Sequence, residues 1–430
     1  MERYNSYKDS GVEWIGEIPS HWIKSKLKFV SEIVTGNTPP TKDEDNYEGG
    51  EYLWVKPNEI NGLTPTNDTN QKLTEKGKSL SRVLPPFSVL VNGIGRIGEF
   101  GYSEMSVSTN QQINSIVYNH KVDKRYGLFH TSMMKEGFIS NSEKVVVPIL
   151  NKTKQENIEF VIPPLSEQQQ IVSFLDTKTS LIDSLIEKTQ LKIELLKEKR
   201  ISLINEVVTK GLNPNVEMKD SGVEWIGEIP SHYQIGKLKH LCNENQRSLS
   251  NSTDPNYELN YIEISDVNSE GVIGNPTPYI FSESPSRCRR IVQKGDVIVS
   301  TVRTYLKSIG LIEEEVEDLI CSTGFSVLTP NNEINSKYLF YLLRTEWFIS
   351  MVISKSEGVS YPSIQSEKLM NIDVVYCELS EQQQIVEYLD EQTQLIDRTI
   401  TIEEKRIELL KEYRQSLISE VVTGKRKVVE

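Results

Sequence analysis

At 430 residues the chain exceeds what one ordinary hydrophobic core organises, and two to four domains are expected. Its 37% hydrophobic and 25% charged residues read as globular, and no apolar run approaches the roughly 18 residues that crossing a bilayer requires. A net charge of −13 excludes the simple case of a basic chain coating a polyanion, and four scattered cysteines without a C-x-x-C pair support neither a disulfide framework nor a zinc site. The opening MERYNSYKDS has no signal-peptide core, so the cytoplasm is the expected location.

The first element in chain order is a motif, KDSGVEWIGEIPSH at Lys8–His21, which recurs letter for letter at Lys219–His232. Between the copies, EYLWVKP (Glu51–Pro57), SVLVNG (Ser88–Gly93) and INSIVY (Ile113–Tyr118) predict strands from their β-branched and aromatic content. From Ser166 to about Val208 there is neither Pro nor Gly, and Leu, Ile, Glu, Lys and Gln dominate. This predicts one helix of roughly 65 Å, with Ser166 and Gln169 as a capping box. Steps of three and four residues trace a seam along it: Val172, Leu175, Thr179, Ile182, Ile186, Thr189, Ile193, Leu196, Arg200, Leu203 and Val207.

After the second motif, NYIEIS (Asn260–Ser265), GDVIVSTV (Gly295–Val302) and GFSVLTP (Gly324–Pro330) predict strands. SKYLFYLLRTEWFISMV (Ser336–Val352) predicts a helix. A last long helix then repeats the first at a constant offset of 214, through LSEQQQIV (Leu165–Val172, Leu379–Val386), IELLKE (Ile193–Glu198, Ile407–Glu412) and EVVT (Glu206–Thr209, Glu420–Thr423). Its seam is Val386, Leu389, Thr393, Ile396, Ile400, Glu403, Ile407, Leu410, Arg414, Leu417 and Val421, the same residue type at ten of eleven places. Arg200 and Arg414 interrupt the seam at matching points, where snorkelling or pairing with a carboxylate is expected.

The fold class expected is α+β. Two globular regions, 23–160 and 234–376, are separated by two long antiparallel coiled-coil helices, 161–212 and 377–430, in an internal pseudo-two-fold repeat. The shared motifs occupy 1–22 and the linker 213–233. No catalytic centre or metal cluster is visible. NGIGRIG (Asn92–Gly98) has dinucleotide-like spacing but no helix follows it, so a glycine-rich turn is the better reading. LPPF (Leu84–Phe87) has the outline of an amino-methyltransferase loop, yet Leu84 cannot accept a hydrogen bond from an amino group.

With these pieces in order, the chain resembles the specificity subunit of type I restriction-modification enzymes. The resemblance rests on YKDSGVEWIGEIPSHW, TGNTPPTKDEDNYEGGEYLWVKPNEI, IVSTVRTYLKSIGLI followed by CSTGFSVLTP, and IPPLSEQQQIVSFLD, and it covers essentially the whole chain. It implies a non-catalytic subunit with two target-recognition domains, each specifying half of a bipartite, asymmetric sequence in double-stranded DNA. Two modification subunits would dock on the helices and bring S-adenosylmethionine for adenine methylation. Restriction subunits would add ATP- and Mg2+-dependent translocation and cleavage. No cofactor is expected on this chain itself. The rival readings are a coiled-coil scaffold that never meets DNA and, behind it, a self-contained DNA methyltransferase.

The charge balance resists a phosphate-gripping role: residues 234–376 hold 13 Lys/Arg against 18 Asp/Glu, and residues 23–160 are near balance. Base-edge readout with the backbone gripped by partners reconciles the two. Candidate DNA-reading residues are Lys56, Asn58, Arg96, Asn110, Gln111 and Gln112 in the first region. In the second they are Arg287, Arg289, Arg290, Arg303, Tyr305 and Lys307. Candidate subunit-docking residues lie in the repeated segments: Trp14, Ile15, Glu17, Gln168 and Gln169, with Trp225, Ile226, Glu228, Gln382 and Gln383. The fourteen-residue motif has a second reading, as a clasp onto the base of each long helix.

Overall fold

The computed structural model describes residues 3–143 and 146–428. It divides into two units, Met1–Thr189 with Lys405–Glu430, and Gln190–Glu404. Each unit thus holds one globular region, one end of the central helix Leu165–Lys210 and one end of the C-terminal helix Leu379–Val422.

In the first unit the repeated motif is a hairpin, Tyr7–Asp9 against Glu17–Pro19, whose turn needs positive φ at Gly11 and Gly16. The next strand, Ile23–Lys26, pairs with Glu159–Ile162, so the globular region opens and closes at its own base. Its main sheet runs Ser31–Thr35, Ile113–Tyr118, Val89–Asn92, Phe100–Tyr102, all antiparallel. Val89, Leu90 and Val91 are fully buried, and this covering of both faces explains a continuous apolar run where a half-solvated strand would alternate. A smaller sheet sets Tyr52–Val55 antiparallel to Lys72–Leu73 and parallel to Ser108–Thr109.

The second unit repeats this plan with other residues. Its main sheet runs Cys242–Glu244, Phe325–Pro330, Val297–Ser300, Ile309–Leu311 in the same order and sense. Its other sheet keeps the parallel pair, Glu258–Ile262 with Leu319–Ser322, and an antiparallel edge strand, Thr277–Ile280, where the first unit has Lys72–Leu73, and adds Cys288–Ile291 at the opposite edge. The helix expected over Ser336–Val352 is two helices, Ser336–Leu343 and Glu346–Ser354. Thr345 adopts extended backbone and its hydroxyl donates to the Leu342 carbonyl, which ends the first helix and begins the second. Lys124–Ser132 and Lys135–Ser140 form the matching pair in the first unit.

The long helices pair within each unit. Every seam position is buried or half-buried. In the first unit Leu175, Ile182 and Ile186 share a core with Leu410, Leu417 and Val421. In the second, Leu203, Ile204 and Val207 share one with Ile385, Val386 and Leu389. There Lys192 meets Glu403 and Arg200 meets Asp397, so position rises along one helix as it falls along the other, and the pair is antiparallel. Arg200 and Arg414 do pair with carboxylates, Asp397 at 3.1 Å and Asp183 at 2.8 Å, across the seam in their own units. The capping box expected at Ser166 is absent. The central helix begins at Leu165, and the Gln168 N–H donates to the Pro164 carbonyl, which places Ser166 inside the first turn. No helix among the described residues is long and apolar enough to cross a membrane.

Candidate nucleic-acid interface

The repeated segments meet one another. Glu167, two residues into the central helix and nearly buried, accepts from the Trp22 indole at 3.1 Å and from the Tyr4 hydroxyl, and lies 2.9 Å from His21 Nε2. Burial, reinforced by the Glu167 hydrogen bond and charge, raises the Tyr4 phenol well above its ordinary range. In the second unit Glu381 does the same with His232 at 2.8 Å and the Tyr233 hydroxyl at 3.3 Å. The motif is therefore a clasp on the helix base in both units.

The neighbouring glutamines hold the globular regions. Gln168 accepts from the Asp123 N–H and donates to the Lys121 and Pro163 carbonyls; Gln382 accepts from the Asn335 N–H and donates to the Glu333 and Cys377 carbonyls. Asp123 and Asn335 in turn cap the helices Lys124–Ser132 and Ser336–Leu343. Among the docking candidates, Gln168, Gln382 and Ile15 are thus buried and engaged inside the chain. Glu17, Gln169, Glu228, Gln383 and Trp225 are exposed, while Trp14 and Ile226 are half-buried.

In the first globular region the reading candidates gather where the strand Tyr52–Val55 ends. Lys56 donates to the Gln71 side chain at 2.8 Å and lies over the Trp54 ring. Arg96 pairs with Glu99 and donates to the Pro57 carbonyl, beside the exposed Asn58. The Asn110 N–H donates to the Val55 carbonyl, but its buried side chain closes on Gln112. Gln111 is exposed and accepts from Thr38. The turn Asn92–Gly98 carries positive φ at Gly95 and Gly98, and the strand Phe100–Tyr102 follows it.

The second region uses the same frame with other groups. After Glu258–Ile262 the chain makes a short turn, Ile264–Asp266, matching Pro57–Glu59 in the first, so Glu263 stands where Lys56 stands. Around it lies a recess of about 680 Å3 lined by Glu263, Asn268, Arg287, Val302, Arg303 and Tyr361. Arg287 and Arg303 are brought together there. Arg289 is held elsewhere, over the Phe281 ring, and Arg290 is half-buried on the strand Cys288–Ile291. Tyr305 is exposed and Lys307 half-buried on the turn that carries Arg303.

Tyr361 was absent from the expected set. Its loop, Glu357–Ser363, is the counterpart of Glu143–Ile149, and in each the first and last residues bridge. The sequence signal available was the Gly358 and Pro362 bracket around exposed apolar and aromatic residues.

Among the described residues no three His, Cys, Asp or Glu side chains are placed to hold a metal ion. All four cysteines are buried, and burial raises the Cys242 and Cys377 thiols to about 12, which keeps them protonated and unreactive.

The family model described as type I restriction modification DNA specificity domain matches the chain twice, over residues 19–195 and 230–412. The type I restriction enzyme MjaVIII specificity subunit of Methanocaldococcus jannaschii is 25% identical over 338 residues, 77% of each chain. The MjaIX specificity subunit of the same organism is 23% identical over 437 residues, 97% of this chain and 96% of its own. A solved structure from work on complex assembly and conformational transition of the type I R-M system shares the fold with a TM-score of 0.71 at 17% identity, over 94% of this chain and 98% of that one. The HsdS subunit from Thermoanaerobacter tengcongensis does so with a TM-score of 0.57 at 16% identity, over 95% and 98%.

Proposed function

The chain belongs to the type I restriction modification DNA specificity family and is a non-catalytic specificity subunit with two recognition domains; from that premise we propose how it divides its labour. The regions 23–160 and 234–376 each read one half of a bipartite, asymmetric target in double-stranded DNA. The repeated clasps and helix bases offer the same docking surface twice, to two modification subunits that carry S-adenosylmethionine and methylate adenine. Restriction subunits joined to these supply ATP- and Mg2+-dependent translocation and cleavage. The complex works in the cytoplasm. One observation carries this reading: the fourteen-residue clasps repeat letter for letter and the helix seams at ten of eleven places, while the strand ends and loops, on main sheets of the same strand order, do not. Lys56 against Glu263 at matching turns is the plainest case, a half-buried donor in one half and an exposed acceptor in the other.

Phosphate gripping falls to the partners, which fits the second region's 13 basic against 18 acidic residues. The long helices set the distance between half-sites. Inserting four residues, about 6 Å of helix, into the central helix lengthens the recognised spacer. The deciding experiment is co-expression with the modification subunit, followed by mapping methylated adenines on random DNA. A split motif with a fixed gap supports the reading. Methylation by this chain alone favours the methyltransferase alternative, and no complex with no methylation favours the scaffold.

A further inference from the structure

The turn that follows the strand Val297–Ser300 leaves ordinary backbone twice in five residues. Arg303 has φ 50 and Lys307 φ 56, both left-handed. Such values are uncommon outside glycine and persist only where the surroundings over-determine them. Here the Arg303 N–H donates to the Pro362 carbonyl at 2.7 Å, Val302 bridges Ser363, and the Thr304 hydroxyl meets that of Ser356 at 2.9 Å. In the first unit the matching N–H, to the Pro148 carbonyl at 3.0 Å, belongs to Gly95, which takes φ 76 without strain. The second unit thus places a long cationic side chain where the fold favours glycine.

That side chain is uncommitted and oriented. Among the described residues the Arg303 guanidinium has no carboxylate partner; it lies 4.7 Å from the centre of the Tyr361 ring. Tyr361 is itself 66% exposed, so the pair stands at the mouth of the recess that Arg287 also lines. A guanidinium stacked on a ring keeps its N–H fork in a fixed plane, the geometry that meets O6 and N7 of guanine in the major groove. The same fork can meet a phosphate, so loss of discrimination at one base position, rather than loss of affinity, separates the two contacts.

Resting on the specificity-subunit reading, we propose that Arg303 reads a guanine at one fixed position of the second half-site, with Tyr361 holding its plane. The test is selection of bound duplexes from randomised DNA by the complex of this chain with its modification subunits. The wild-type complex is expected to enrich a bipartite motif with a guanine in the half contributed by this domain. Arg303→Gly suits the left-handed backbone and so preserves the turn. It is expected to lose discrimination at that single position by roughly 5- to 150-fold, leaving the other half-site unaltered. Arg303→Lys, which keeps charge but not the fork, is expected to lose it as well.

An unchanged motif in Arg303→Gly overturns the proposal. So does uniform weakening in Arg303→Gly that Arg303→Lys restores, since that is the signature of a phosphate contact. A wild-type complex that enriches no sequence overturns the specificity-subunit reading, and the assignment of Arg303 with it.

Discussion

Identical sequence meets different company in the two clasps. Both hairpins have the same register and the same positive-φ glycines, Gly11 and Gly16 in one and Gly222 and Gly227 in the other. Yet Trp14 is half-buried, packed where a side chain on Gly137 would touch its ring, and edge-on to His130 at 6.4 Å. Trp225, in the same fourteen residues, is 54% exposed. The carboxylates differ too: the Glu167 side chain is 9% exposed and receives three groups, whereas that of Glu381 is 26% exposed and receives two. A repeated motif fixes its own turn but not its surroundings. What the second clasp leaves open, a partner can cover.

The comparison breaks most sharply at the carboxylates. Glu167→Ala leaves the Tyr4 and Trp22 donors without an acceptor in a buried place and is expected to cost about 3 kcal/mol, against about 1 kcal/mol for Glu381→Ala. Urea denaturation of the full chain, with hydrogen exchange resolved by unit, measures both. Equal costs would mean that the two clasps are equivalent in spite of their burial.

Trp14→Ala is expected to cost about 2 kcal/mol through lost packing, and Trp225→Ala less than about 0.5 kcal/mol. The second substitution instead weakens assembly with the modification subunit, read by titration calorimetry. Undiminished assembly would remove Trp225 from the docking surface.

Acid separates the units next. His130 is fully buried, neither ring nitrogen has a hydrogen-bond partner among the described residues, and burial alone lowers its pKa to about 3. Leu342 holds the matching place, seven residues after the helix-capping Asn335 as His130 is after Asp123. Between about pH 6.5 and 3 the unfolded chain takes up a proton that the native imidazole refuses, so the first unit loses stability as pH falls through that window. The slope is about 1.4 kcal/mol per pH unit. Unit-resolved hydrogen exchange from pH 7 to 4 should show the first unit loosening ahead of the second. His130→Leu should remove the difference.

Much of this frame was legible in the sequence because its signals are local or periodic. The seam from Leu175 to Leu203 and its copy from Leu389 to Leu417 follow from a period of three and a half residues, and the strand Val297–Ser300 from a run of β-branched residues. The pairing of Arg200 and Arg414 with carboxylates could be expected because a charge in an apolar seam requires a partner. Gln168 and Gln382 misled for a physical reason. A polar residue in a repeated segment reads equally as a surface for a partner and as a buried anchor, and only the backbone groups around it, at Lys121, Pro163 and Asp123 for Gln168, separate the two. The break at Arg344–Thr345 was hidden because a single threonine hydroxyl bonding its own backbone leaves no periodic trace.

The sequence by itself determined the doubling of the plan and the contrast between repeated clasps and varied regions, which the chain shows when compared with itself, and the two helices with one seam, which depend on neighbours within a turn or two of chain. Tertiary structure alone decided that Tyr361 stands beside Arg303, that Glu263 occupies the place of Lys56, and that one tryptophan of an identical pair is covered and the other is not. Those facts depend on which segments distant in sequence the two sheets bring together. Spacing along a chain carries no record of that.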